Sequence, residues 1–134
     1  MNYFEEFGIR KELAKAIMEL GFEKLTPIQE QSISVLKEGR QNFIGMAQTG
    51  TGKTAAFGLP LISLVNPGSR AIQGLILAPT RELCVQITRD LNNYCKYLKE
   101  VKITAVYGGA SIRDQISSLK KGAHIVVATP GRLT

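Results

Sequence analysis

Residues 47–54 read Ala47-Gln48-Thr49-Gly50-Thr51-Gly52-Lys53-Thr54, and this stretch decides the fold. A run of strand length, Asn42–Met46, precedes it, and a helix-length apolar segment at about 53–65 follows. Glycine-rich spacing closed by Gly-Lys-Thr at a strand-to-helix junction is the requirement of a phosphate loop. The first position of the general pattern is Gly, and here it is Ala47. Gly50 and Gly52 allow the sharp turn that aims backbone N–H groups inward. The positive end of the next helix completes an anion cradle. Lys53 can reach the β and γ phosphates of a nucleotide, and the Thr54 hydroxyl suits Mg²⁺. A Gly/Thr-rich turn with a chance Lys-Thr would read the same locally, but the flanking strand and helix argue against it.

Downstream, apolar runs of strand length alternate with helix-length segments. The runs are Asn42–Met46, Gly74–Ala78, Val101–Tyr107 and His124–Ala128, and the intervening helices fall at about 53–65, 81–97 and 111–119. Such alternation means βαβ units, hence an α/β fold with a parallel sheet covered by helices. Leu75-Ile76-Leu77 and Ile125-Val126-Val127 are apolar at every position, as strands buried on both faces are. Asn66-Pro67-Gly68-Ser69 reads as a surface turn.

Upstream, Ile9, Leu13, Ala16, Ile17 and Leu20 recur at helical spacing, with Gly21 placed to end the helix. Thr26-Pro27-Ile28-Gln29 then reads as the start of a second helix that stops at Gly39. Thr26 is its N-cap, Pro27 the first helical residue and Gln29 the return half of a capping box. The same Gln29 amide presents a donor beside an acceptor, which matches N7 and N6 of adenine. The spacing by itself favours the cap. A guanine site commonly carries Asn-Lys-x-Asp, and no such string occurs.

The 134 residues amount to one domain at ~150 residues per domain. With 44% hydrophobic and 21% charged residues, the chain is excluded from the disordered and fibrous classes. No apolar run approaches the ~18 residues that span a bilayer, so no membrane role is expected. The acidic start Met1-Asn2-Tyr3-Phe4-Glu5-Glu6 lacks the features of a signal peptide. Two cysteines without a CxxC and a single histidine exclude a disulfide scaffold and a Cys/His zinc site, which predicts a cytoplasmic location. Cys84 and Cys95 read as buried small apolars, His124 as a turn residue, Lys120-Lys121 as a solvated helix end, and Tyr94 and Tyr97 as core and rim of one helix. Charge is uneven: residues 1–39 carry a net −2 and residues 40–134 a net +8. A basic body suggests a polyanionic partner, most often nucleic acid.

Two arginines sharpen that suggestion. Arg81 and Arg132 each fall in the first turn of a predicted helix, behind Thr80 and Thr129 as caps. A cation there opposes the helix dipole by about 0.3–1 kcal/mol. A phosphate lying outside the helix start reverses the sign, because N–H donors and guanidinium then share one anion. Both positions follow strands at their C-terminal ends, where open α/β sheets bind ligands. The alternative is that each arginine turns back to a surface carboxylate, such as Glu82.

Taken in order, these elements resemble the DEAD-box RNA helicases. Phe4, Gly21-Phe22 and Thr26-Pro27-Ile28-Gln29 are similar to the Q motif with its upstream aromatic. Residues 47–54 resemble motif I, Pro79-Thr80-Arg81-Glu82-Leu83 motif Ia, Gly108-Gly109 the GG element, and Thr129-Pro130-Gly131-Arg132 motif Ib. The resemblance implies a RecA-like P-loop fold, three-layered α/β/α, present here in part. Residues 1–39 would form a helical Q-motif region, and residues 40–134 part of the first RecA-like domain. It implies that Phe4 stacks on adenine while Gln29 hydrogen-bonds its edge. Residues 47–54 would hold ATP and Mg²⁺, and Pro79, Thr80, Arg81, Gly108, Gly109, Thr129, Pro130, Gly131 and Arg132 would line an RNA backbone.

Leu25 stands where the family usually has Pro, Asn42 where it often has Asp, and Cys84 where Ala is commoner. After Glu100 the only acidic residue is Asp114, so no Walker B acid is present to hold Mg²⁺ and position water. The Asp-Glu-Ala-Asp and Ser-Ala-Thr motifs and the second RecA-like domain with its arginine finger are likewise absent from these residues. The expectation is the ATP- and RNA-binding portion of an ATP-dependent RNA helicase that remodels short duplexes. By itself this portion would be inactive and prone to self-association through a bare strand at 42–46. A nucleotide- and RNA-binding module without turnover is the alternative. A small P-loop kinase would need an acceptor site and lid arginines, and the paired Thr/Pro/Arg elements argue against it.

Overall fold

The computed structural model describes residues 2–37, 42–46, 53–108 and 111–133. They form two compact units, one of residues 1–64 with 93–98, the other of residues 65–92 with 99–134. The predicted boundary at 39/40 lies outside the described residues.

The first unit is helical. Helix α1 (Tyr3–Glu6), which the periodicity did not predict, is capped by Asn2, whose side chain accepts from the Glu5 N–H at 2.9 Å. It packs on α2 (Lys11–Glu19), whose Leu13, Ala14, Ala16 and Ile17 are buried. Helix α2 ends as predicted. Gly21 takes φ +100°, and the Phe22 N–H reaches back to the Ile17 carbonyl at 3.0 Å while the Gly21 N–H reaches Met18. A residue with a Cβ resists that left-handed turn. Helices α3 (Pro27–Leu36) and α4 (Lys53–Leu64) pack side by side.

The α3–α4 contact has a specific lock. Pro60 lies inside α4 and has no N–H, so the carbonyl four residues earlier, that of Ala56, loses its helical donor. Ser32 of α3, 2% exposed, supplies the replacement: its hydroxyl donates to the Ala56 carbonyl at 2.6 Å.

The second unit holds the sheet. Strands β1 (Gly74–Leu77), β2 (Ile103–Val106) and β3 (Ile125–Ala128) are all parallel, in the order β1-β3-β2. Leu77 and Val106 both pair with Ala128, so the three strands end level. Helix α5 (Arg81–Tyr94) follows β1, α6 (Ile112–Lys120) follows β2 and packs on it, and the short α7 (Pro130–Leu133) follows β3. The central β3 is buried at all four positions, as predicted. Leu119 packs against the buried cluster of Val106, Ala123, Val126 and Ala128.

Two expectations are corrected. Asn42–Met46 is not a strand: it pairs with no described strand, and Ile44 and Met46 are 91% and 89% exposed. A strand needs a ladder partner. In the RecA-like arrangement, its neighbours carry the acidic and Ser-Ala-Thr motifs, which these residues do not contain. Strand β1 is not buried on both faces either. Gly74 and Ile76 are inside, whereas Leu75 and Leu77 are 53% and 55% exposed, because β1 lies at the edge of the three strands. His124 lies in the bend that leads into β3, as expected. It is buried; its Nδ1 accepts from the Lys102 N–H at 2.9 Å and its Nε2 lies 2.9 Å from the Ser69 carbonyl, which makes Nε2 the protonated nitrogen. It ties the start of β3 to the lead-ins of both neighbouring strands. Cys84 and Cys95 are buried as expected; burial pushes the Cys84 thiol up.

Candidate functional site

In the first unit, the sequence Thr26-Pro27-Ile28-Gln29 folds into the predicted capping box. The Gln29 N–H donates to Thr26 Oγ1 at 3.4 Å, and the Thr26 N–H donates to Gln29 Oε1 at 3.0 Å. Gln29 is 1% exposed, so the cap fixes its amide at the head of α3. Beside it a cleft of about 620 Å³ is lined by the loop Gly21–Leu25, by Thr26 and Pro27, and by Glu30. Phe4 turns inward at 2% exposure, with its ring edge-on to that of Tyr3 at 5.1 Å. Tyr3 instead bonds to two of the residues that line the cleft. Its hydroxyl donates to Glu30 Oε1 at 3.2 Å and accepts from the Leu25 N–H at 3.3 Å.

The phosphate-loop residues Ala47, Gln48, Thr49, Gly50, Thr51 and Gly52 lie outside the described residues. The segment entering them passes close to α3. A Cβ on Gly45 would come within 3.0 Å of the Ile28 side chain, next to Gln29. On the far side of the loop, α4 begins at Lys53, which is exposed, followed by the half-buried Thr54. An exposed lysine and a hydroxyl in the first turn of a helix form the donor set that a triphosphate with a divalent cation requires. Among the described residues no cluster of His, Cys, Asp or Glu could hold a metal by itself.

In the second unit, the level strand ends bring the other candidates to one edge. Pro79, Thr80 and Arg81 leave β1, Gly108 lies just past β2, and Thr129, Pro130, Gly131 and Arg132 leave β3. Gly109 lies outside the described residues. Thr80 caps α5 as expected, its Oγ1 accepting from the Leu83 N–H at 3.1 Å. Thr129 is engaged through its main chain: its N–H donates to the Val106 carbonyl at 3.0 Å, and its carbonyl accepts from the Arg132 N–H at 3.2 Å. Arg81 is exposed and makes no ion pair with Glu82 among the described residues. Arg132 is half-buried, and its Nη1 donates to Gln115 Oε1 at 3.2 Å. The edge thus combines a capped helix start with two arginines, a donor set able to meet an anion.

The family model for DEAD/DEAH box helicases matches residues 26–134. The chain belongs to the DEAD/DEAH box helicase family. Among curated relatives, the ATP-dependent RNA helicase CshA of Listeria monocytogenes is 51% identical over 133 residues, which is 99% of this chain and 25% of that protein. The chain therefore spans about a quarter of the length of the curated relatives it matches. Among solved structures, a DEAD box protein from Methanococcus jannaschii superposes with a TM-score of 0.89 at 43% identity, covering 97% of this chain and 35% of that one. A Dbp5 variant from S. cerevisiae, solved bound to RNA and ADP BeF3, superposes with a TM-score of 0.86 at 34% identity, over 97% of this chain and 32% of its own. The fold is that of a DEAD-box RecA-like domain, incomplete, with a parallel sheet of three strands among the described residues. No described helix is long and apolar enough to cross a membrane.

Within this DEAD-box frame, sequence reasoning missed three residues that build the candidate sites. Tyr3 bonds Glu30 and Leu25 beside Phe4, and nothing local in the sequence distinguishes which of the two rings turns inward. Ser32 was legible in principle, since Pro60 strands one carbonyl that a neighbouring helix must satisfy. Gln115 shares the i, i+3, i+4, i+7 stripe of α6 with Ile112, Ile116 and Leu119, and a polar residue on such a stripe is a signal.

Proposed function

We propose that the chain is the ATP- and RNA-binding portion of an ATP-dependent RNA helicase that remodels short RNA duplexes. In this reading Gln29 reads the edge of adenine from its place at the head of α3, with the Tyr3–Phe4 ring pair as the aromatic surface expected of Phe4. Residues 47–52 with Lys53 hold the triphosphate, and the Thr54 hydroxyl takes Mg²⁺. ATP supplies the free energy of phosphoryl transfer. The chain's own residues bind and orient it. Pro79, Thr80, Arg81, Gly108, Gly109, Thr129, Pro130, Gly131 and Arg132 contact RNA phosphates and sugars, which fixes register without reading sequence.

The observation that carries this reading is the convergence of Thr80-Arg81 and Thr129-Arg132 at level strand ends within a chain of this family. Arg81 stands at a helix start with no carboxylate among the described residues paired to it, an arrangement a bound phosphate makes favourable. The 134 residues contain no Walker B acid, so by themselves they bind without turnover. Their exposed Ile44 and Met46 are the surface through which they would self-associate. We further assign the protein to the cytoplasm, on its cysteine usage.

Substitution of Gln29 tests the nucleotide half. Gln29→Ala is expected to lower stability by about 0.5–1 kcal/mol through the lost cap and to abolish preference for ATP over GTP. Competition of ATP and GTP against a fluorescent nucleotide, with a urea melt alongside, separates the two effects. An unchanged preference with the expected loss of stability leaves Gln29 a cap alone.

A further inference from the structure

We infer that Gln115 is a positioning residue for RNA binding: it holds the guanidinium of Arg132 in register with the end of β2. The inference rests on the RNA-face reading above and adds a residue to it. Gln115 is the only buried polar side chain described on α6, at 8% exposure. A buried amide must satisfy both of its ends, and these go to two different strand ends. Gln115 Nε2 donates to the Tyr107 carbonyl at 2.9 Å, the residue between β2 and Gly108. Gln115 Oε1 accepts from Arg132 Nη1 at 3.2 Å, at the exit of β3. The first bond sets which way the amide faces, and so where the acceptor for Arg132 sits.

The base of this bracket is itself fixed. Gln115 lies in the first turn of α6, which packs on β2, and its own N–H donates to the Ser111 carbonyl at 3.2 Å. Ser111 caps the helix, accepting from the Asp114 N–H at 3.3 Å. The choice of an amide also matters. A carboxylate at this position would cancel the charge on Arg132, whereas a neutral acceptor orients the guanidinium without cancelling its charge. A guanidinium carries five N–H donors in a rigid fork, so the one given to Gln115 fixes the plane of the whole group. Ordering that long side chain in advance reduces the entropy lost when RNA binds.

The test is a double-substitution cycle on the full-length protein, reading affinity for a short fluorescein-labelled oligouridine across a salt series, with ATP affinity as a control for folding. Gln115→Met keeps the volume and removes both hydrogen bonds. It is expected to weaken RNA binding about 3- to 10-fold, the size of one lost hydrogen bond. Arg132→Ala is expected to weaken it further and to make the slope of log affinity against log salt shallower by about 0.7, the share of one single-strand phosphate. If Gln115 acts through Arg132, the double variant binds like Arg132→Ala alone. Independent losses that multiply in the double variant would overturn the inference while leaving the RNA face standing. An Arg132→Ala protein that binds RNA as the wild type does would overturn both. Should Gln115→Met lose ATP binding, Gln115→Glu enters the same cycle. It keeps the acceptor toward Arg132, and non-additivity there again supports the inference, whereas additivity rejects it.

Discussion

The head of α3 and the level ends of β1, β2 and β3 build their candidate sites in different ways. At α3, short-range signals do most of the work. A capping box spans four residues, and one side chain, Ser32, fixes the helix to its neighbour by satisfying a carbonyl that Pro60 had stranded. At the sheet edge, residues from 79 to 132 meet only because three strands share a register, with Gln115 lacing two of the exits together. The first arrangement is nearly local, the second almost wholly long-range. Substitutions should therefore fail differently in the two places, and each should disturb one ligand.

The largest effect is expected from Lys53→Ala. Removing a charge-assisted contact to phosphate should weaken ATP binding by at least about tenfold. RNA binding without nucleotide should stay within error, because Lys53 takes no part in the strand-end face. Isothermal titration with ATP gives the answer, and equal ATP affinity in the two proteins would remove Lys53 from the nucleotide site.

Next comes Ser32→Ala, which contacts no ligand. The buried Ala56 carbonyl would then have no donor, at a cost of about 1–3 kcal/mol. A urea melt should show the loss. If stability is unchanged, the α3–α4 lock is not what holds the two helices in place.

Arg81→Ala should show opposite signs in two measurements. Stability should rise by about 0.3–1 kcal/mol, since a cation leaves the positive end of α5. RNA affinity should fall, and its salt dependence with it. A loss of stability instead would mean that Arg81 is a structural residue, and would weaken the contrast between the two regions.

The smallest effect belongs to an exposed cluster in the first unit. Lys96 Nζ lies 2.7 Å from Glu19 Oε1, and the Tyr97 hydroxyl donates to Glu19 Oε2. The hydrogen bond from Lys96, then that from Tyr97, holds the Glu19 carboxyl below its ordinary range, and the same bond to Glu19 raises Lys96. A depressed carboxylate stabilises the folded chain above its unfolded pKa and loses that contribution as pH falls through its folded value. The raised lysine loses its share only as pH climbs past the ordinary lysine range. The cluster is thus fully formed at neutral pH, and Glu19→Gln should flatten the acid side of the stability profile slightly. Thermal melts of both proteins from neutral pH down through the carboxylate range test this, and identical profiles would assign the acid dependence elsewhere.

How much of this was legible in the sequence follows the range of the forces involved. Helices α2 and α3, the Gly21 turn, the Thr26–Gln29 box, the Thr80 cap and the buried β3 were all readable, because each depends on residues within a turn or two, or on an apolar run that admits one reading. The candidate site residues were readable as ordered motifs. Tertiary structure alone decided the rest. Asn42–Met46 and Gly74–Leu77 have the composition of strands, yet one finds no ladder partner among the described residues and the other lies at an edge with Leu75 and Leu77 exposed. His124, Ser32 and Gln115 are ordinary polar residues on paper. Their partners, at Ser69 and Lys102, Ala56, and Tyr107 with Arg132, are set by strand register and helix packing. A buried hydrogen bond needs its acceptor within about 3 Å, and only the folded chain brings residues so far apart in sequence to that distance.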